Sequence, residues 1–336
     1  MASNFLRAAL AALWLVSCCA GQGNHDVRLG PETVWGSLED VDAQLPFHRW
    51  SQGHLLAWSK RPASSPVVDV YDSRAQLVRS ITLAIPGAAT TSITGVDLAK
   101  DGSLVVAGIS TQADGAKARY LALVSPRGEL SRLVRTGAYL AHYVCADEDR
   151  TVWTVGDEWT GPGRVKESGY SVLRQYSFSA GLLREPVDRD QIKGRVVSWG
   201  GQVYSAFLTC SGNRVRFLSV ISQQWFEYNR QTGMVTEGDL DESARAVTGL
   251  AVTKQGRALV SIVERASPRG PRIFEVAPAE SQDRDRRFLL RPVPGTACDA
   301  DSACIWNLLA REGESLITVR AGPDGRRLYS TVVHDN

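Results

Sequence analysis

The side chains that could carry acid–base or metal chemistry are few and scattered. Five histidines occur, His25, His48, His54, His142 and His334, and none forms an HxxH or HExxH pair that would set two imidazoles on one face for zinc. His48 and His142 each stand near the start of an apolar run. No carboxylate can be assigned from sequence to orient either ring, so a packed or solvated role outweighs catalysis, and both stand as ligand-binding candidates. The acids are no more concentrated. Asp147-Glu148-Asp149 has the composition of a solvated turn. Asp299 and Asp301, in the segment CDADSAC, could give two oxygens to Ca²⁺ but lack the donor run and glycine of a DxDxDG loop. GxSxG, GxGxxG and Walker sequences are absent. The expectation is therefore no catalytic residue set and no cofactor, with calcium near Asp299 and Asp301 or at a central axis as the exception to look for.

Chemistry without a linear motif must be assembled from distant segments, which turns attention to the elements that would bring them together. Six times an apolar run breaks at a short polar turn and resumes: WSQG-HLLAWS, AKDG-SLVVAG, DEDR-TVWTVG, SWGG-QVYSAF, TKQG-RALVSI and AREG-ESLITV. The last turn residues are Gly53, Gly102, Arg150, Gly201, Gly256 and Gly313, spaced by 49, 48, 51, 55 and 57 residues. A period near 50 made of strand pairs predicts an all-β chain, a propeller of four-stranded antiparallel blades. Blades are expected near 47–85, 93–136, 140–187, 193–238, 246–291 and 303–333. Inner strands buried on both faces should be continuously apolar, and outermost strands should tolerate charge.

The sixth repeat stops before an outer strand, while residues 26–38 precede the first repeat with no blade of their own. Pairing the two closes a ring of six and removes an open sheet edge. The fourth repeat is irregular: between Val203 and Tyr228 it holds more apolar residues than two short strands need, which calls for a long strand, a bulge or an extra hairpin. His48 and His142 fall on first strands, the ones nearest the axis.

Loops joining second to third strands share one face with the links between blades. On the repeat boundaries above they carry 14 Lys and Arg against six Asp and Glu. Among them Arg61, Arg119, Arg164, Arg265, Arg269 and Arg272 are candidates for an anionic ligand, and Arg214 and Arg216 represent the fourth repeat. Such a rim would concentrate an anionic small molecule, glycan or acidic protein patch. Solvated arginines are equally what loops normally carry. The whole chain has a formal charge of only +2, which gives little non-specific attraction for nucleic acid.

The second repeat, VDLAKDGSLVVAG followed by ARYLALVSPRGELSRLV, resembles the delta-60 type of bacterial repeat and, more loosely, NHL and SMP-30/gluconolactonase-like six-bladed propellers. The likeness is strong over about one repeat. It implies the propeller fold and common surface association, but no catalytic residues. Lactonase-like members hold a divalent metal on Glu, Asn and Asp at the axis, and those three have no counterpart that can be placed here.

The first residues have the character of an address. Arg7 precedes the nine apolar residues Ala8 to Val16, a run too short to span a bilayer and suited to a signal-peptide core. Leu15-Val16-Ser17-Cys18 resembles the bacterial lipobox, which implies a lipid on Cys18 after removal of residues 1–17; an ordinary leader cut after Ala20 is the alternative. Residues 18–25 then form a tether and 26–336 the propeller, at the outer membrane or elsewhere in the cell envelope, or else periplasmic or secreted. Export permits disulfides, and Cys298 and Cys304 are close enough to bond. Cys145 and Cys210, which the repeat boundaries put at different strand positions, are expected to be buried free thiols. The function expected is a non-catalytic scaffold that binds a ligand or protein, held to the membrane by its lipid alone; the alternative is a propeller enzyme, a metal-dependent lactonase-like hydrolase or a lyase.

Overall fold

A computed structural model describes residues 27–38, 47–59, 61–161, 164–193, 206–220, 222–240, 247–262, 272–278, 288–294, 305–322 and 325–335. Cys18, Arg265, Arg269, Cys298, Asp299, Asp301 and Cys304 lie outside them.

The chain enters through β1 (Val27–Ser37). Blade one is β2 (Phe47–Ser51), β3 (His54–Trp58), β4 (Val67–Tyr71) and β5 (Leu77–Thr82). Blade two is β6 (Thr90–Leu98), β7 (Leu104–Thr111), β8 (Lys117–Val124) and β9 (Leu130–Arg135). Blade three is β10 (Tyr139–Ala146), β11 (Thr151–Gly161), β13 (Ser171–Ser177) and β14 (Gly181–Asp188), with the short β12 (Arg164–Val165) folding back on β11. Blade four is β15 (Ala206–Ser211), β16 (Arg214–Ser219), β17 (Gln224–Asn229) and β18 (Val235–Asp239). Blade five is β19 (Val247–Val252), β20 (Ala258–Ile262), β21 (Arg272–Pro278) and β22 (Phe288–Pro292). Blade six is β23 (Ile305–Glu312), β24 (Ser315–Gly322) and β25 (Gly325–Asp335), completed by β1 as its outer strand. The antiparallel pairing runs from Val27 opposite Asp335 to Ser37 opposite Arg327, so the two ends of the chain close the ring as the unfinished last repeat requires.

The apolar runs are continuous because each second strand is buried on both sides. Leu104 and Val106 face blade one while Val105 and Ala107 face blade three. Leu56 and Trp58 likewise turn to blade two, and Leu55 and Ala57 to blade six. With a side-chain period of two, alternate residues of one strand feed two different cores. The core is thus divided into six wedges, one between each pair of neighbouring blades. In the wedge between blades three and four, Phe217 stacks on Phe226 with ring centroids 4.5 Å apart, and each fully buried side chain of this size contributes about 2–3 kcal/mol. Outer strands carry the exposed Leu77, Val78, Leu182, Leu183 and Leu289, as an edge facing water allows.

Polar groups stitch the same seams at the end of the ring that holds the first hairpin turns. Arg49 of blade one reaches Asp97 of blade two at 3.1 Å, and the backbone N–H of Ala146 in blade three donates to the same carboxylate at 2.7 Å. Arg230 pairs with Asp147 at 2.7 Å across blades four and three. Arg216 donates to the Gly256 carbonyl across blades four and five, Arg257 pairs with Asp335 across five and six, and the Trp50 indole donates to Glu312 across one and six.

One expectation is corrected. The first hairpin turn of blade four is not at Gly201, which lies outside the described residues, but between Ser211 and Arg214. The excess of apolar residues is resolved by this shift: FLTCS and RVRFLS are the first two strands, and QWFEYN is the third. Arg214 and Arg216 consequently open a second strand at the opposite end of the ring from the loops to which sequence assigned them. Both pair with Glu227, and Arg216 is buried.

Candidate functional site

The six inner strands β2, β6, β10, β15, β19 and β23 converge on an axial cavity of about 470 Å³. Its wall mixes hydroxyl, imidazole and carboxylate groups with apolar surface: His48, Thr94, Asp97, His142 and Thr248 all border it.

Three of these residues reach the wall through the same local device. In β6 the register steps from Ile93 opposite Gly108 to Gly95 opposite Ala107, so Thr94 is an extra residue without a partner across the ladder. His142 is the extra residue of β10, between Ala141 and Tyr143, and Thr248 is that of β19, between Val247 and Gly249. A bulge bends the strand and re-aims one side chain. For the bulges of β10 and β6 the crowding falls on the partner strand, where glycine is needed: a Cβ on Gly156 would lie 2.0 Å from the Leu140 carbonyl oxygen, and one on Gly108 would lie 2.0 Å from that of Ser92. Gly95 is equally confined, with the His142 carbonyl oxygen 2.7 Å from where its Cβ would be. Thr94 Oγ1 donates to the Ala141 carbonyl at 2.5 Å, locking the two bulges together.

The bulge brings the His142 ring against Asp157. Its Nε2 lies 2.9 Å from Asp157 Oδ2, and both side chains are buried, with Asp157 inaccessible to solvent. The indole Nε1–H of Trp159 donates to the other oxygen, Asp157 Oδ1. Arg119, from the neighbouring blade, lies over the Trp159 ring at 5.9 Å. Burial holds its guanidinium pKa below the usual arginine value, against the opposing pull of the Asp157 carboxylate. Behind this group Arg174 covers the Tyr139 ring at 4.2 Å and pairs with Glu158 at 2.6 Å; Lys166 reaches the same carboxylate at 3.2 Å.

Toward the hairpin end of the cavity lies the Asp97 carboxylate, which accepts from Arg49 through both oxygens and from the backbone N–H groups of Leu98 and Ala146. Beside it, Cys145 and Cys210 both border the cavity and are bonded to each other, with Cα atoms 6.0 Å apart. This corrects the expectation of two buried free thiols. The reason is the shifted start of blade four: Cys210 becomes the penultimate residue of its inner strand, as Cys145 is of β10.

Of the residues singled out in sequence, His48 and His142 both reach the axial wall. Arg119 is built into the side of blade two instead of standing free on a rim. Arg61 and Arg164 are exposed, and Arg272 opens β21. Sequence reasoning missed Asp97, Asp157, Thr94 and Thr248. A signal for the bulges was present in the glycines that end SLVVAG and TVWTVG, Gly108 and Gly156, at equivalent places in successive repeats. Among the described residues, no group of three or more His, Cys, Asp or Glu side chains is placed to hold a metal ion, and no helix is long and apolar enough to cross a membrane.

No protein-family model and no curated protein matches the chain. Solved structures do. A candidate exported protein from Bacteroides fragilis is 8% identical, with a TM-score of 0.52 over 94% of this chain and 97% of its own. A subtype N10 neuraminidase-like protein of a little yellow-shouldered bat virus has a TM-score of 0.48 at 8% identity, over 92% of this chain and all of its own. Virginiamycin B lyase from Staphylococcus aureus has a TM-score of 0.44 at 8% identity, over 91% and 99% of the two chains. At these identities the likeness concerns the fold alone.

Proposed function

We propose that this six-bladed propeller is an exported binding protein that holds a small polar ligand in its axial funnel and is anchored to the cell envelope by a lipid on Cys18. The observation that carries the binding reading is the cavity itself. Its volume, about 470 Å³, falls within the range of small-molecule sites, and polar groups reach it from several blades that share no linear motif. The ligand class is a small anion or acidic sugar. Exposed Arg61 and Arg164, with Arg265, Arg269 and Arg272, would draw such a molecule toward the ring, while hydroxyls and imidazoles in the funnel would orient it.

Calorimetric titration with a panel of uronic and other sugar acids tests this reading. Saturable binding that disappears in Thr94→Trp, with a cooperative unfolding transition retained, is expected. Binding indifferent to that substitution would count against the funnel, and absence of binding across the panel would count against the ligand class. For the anchor, Cys18→Ser should move the protein from the membrane fraction to the soluble one; unaltered fractionation would remove the lipid from the account.

A further inference from the structure

We propose that the funnel is a proton-transfer centre in which His142 accepts a proton from a hydroxyl group of the bound molecule; this rests on the reading of the funnel as the binding site. An ionised carboxylate only accepts hydrogen bonds, so the contact between Asp157 Oδ2 and His142 Nε2 requires the proton of the neutral ring to sit on Nε2. The lone pair is then on Nδ1. The ring makes no other hydrogen bond or ion pair among the described residues, and it borders the cavity. A buried histidine held in one tautomer by a buried carboxylate, with its second nitrogen unengaged at the wall of a cavity, is the arrangement a general base needs.

In the step itself the substrate O–H bond breaks, the Nδ1–H bond forms, and the imidazolium is balanced by the Asp157 carboxylate beside it. The proton returns from Nδ1 to the substrate oxygen that gave it up, so no further reactant is consumed. Asp157 is a positioning residue, and Trp159 gives it a fixed orientation, because an indole N–H can only donate.

That last relationship yields an unusual test. In Asp157→Asn the amide must turn its oxygen to Trp159, which leaves its NH₂ group facing His142 Nε2. Donation into Nε2 forces the ring proton to Nδ1 and removes the lone pair from the cavity side, with side-chain volume and hydrogen-bond count unchanged. Replacing Trp159 by Phe as well frees the amide to rotate and restores the original tautomer.

Two measurements on the full-length protein decide it. Ring ¹⁵N shifts, with His142 assigned by His142→Gln, report the tautomer. Mass spectrometry reports alkylation by iodoacetamide, in which the Nδ1 lone pair forms an N–C bond as the C–I bond breaks. The wild type should show the Nε2–H tautomer and alkylation at His142. Asp157→Asn should show the Nδ1–H tautomer and alkylation slower by at least about tenfold. The Asp157→Asn, Trp159→Phe pair should recover both. An Nδ1–H tautomer in the wild type, or equal alkylation in wild type and Asp157→Asn, overturns the proposal. Failure of the sugar-acid panel with tautomer and reactivity as expected would count against the proposed ligand class and leave the proton-transfer centre supported.

Discussion

Cys145 and Cys210 join the inner strands of blades three and four through a bond that spans 65 residues of sequence and lies against the axial cavity. The bond crosses one of six seams, and the remaining seams are closed by apolar wedges and by the Arg49–Asp97, Arg216–Gly256, Arg257–Asp335 and Trp50–Glu312 contacts among others. A ring of blades has no central core, so the strength of each seam bears directly on the integrity of the whole.

Removing the disulfide should therefore weaken the fold. Cys145→Ala with Cys210→Ala is expected to lower the unfolding free energy by about 2–4 kcal/mol, since a cross-link over a loop of this length restricts the unfolded chain. Urea denaturation of the double variant against the oxidised wild type measures it, and an unchanged midpoint would show that the seam does not depend on the bond.

Asp97 should be among the costliest polar positions. In Asp97→Ala the half-buried Arg49 guanidinium and the N–H of Ala146 lose this acceptor, the N–H of Leu98 keeps only Ser51 Oγ, and about 3–5 kcal/mol is expected from breaking a largely buried charged network. Asp97→Asn, which keeps the shape, should lose less. Equal losses in the two variants would mean that the charge, and not the shape of the side chain, is what Asp97 supplies.

Gly156→Ala tests whether the bulge positions the site. The added methyl would collide with the Leu140 backbone, where no flexible side chain can yield, so a loss of about 2 kcal/mol or more is expected. The bulge at His142 should also shift, and with it the hydrogen bond to Asp157. A melting curve and the ring ¹⁵N spectrum of His142 report the two effects separately.

Glu158 predicts an acid limb of stability. Burial pushes its pKa up, but hydrogen bonds and charge from Arg174 and Lys166 outweigh burial and hold it below the usual carboxylate value. A carboxyl whose pKa is lower folded than unfolded stabilises fully above the unfolded value, about 4.3, and loses that contribution as pH falls through the folded value. Glu158→Gln should thus cost stability at pH 7 and flatten the decline below about pH 4.5. Denaturation midpoints across pH 3–7 check this, and parallel wild-type and variant curves would rule it out.

The period of strand pairs, the continuous apolar second strands and the incomplete final repeat were enough to specify an all-β ring of six blades closed by the N-terminal segment. Those properties are local or periodic: a strand buried on both faces must be apolar at successive positions, and a ring must join its ends. His48 and His142 were also legible as axis-facing, because position within a repeat determines distance from the axis. Only the tertiary structure decided which groups meet. Asp157 was hidden just past the apolar half of β11, and its partner was set by a one-residue bulge that no period records. The fourth repeat carries the same lesson. Its turn was assigned to Gly201 when the first hairpin lies at residues 211–214, and that single displacement concealed both the match of Cys210 to Cys145 and the true side of Arg214 and Arg216. Spacing along a chain counts blades reliably, but register within a blade is set by side chains fitting against the neighbouring sheet, a condition that exists only once the ring has closed.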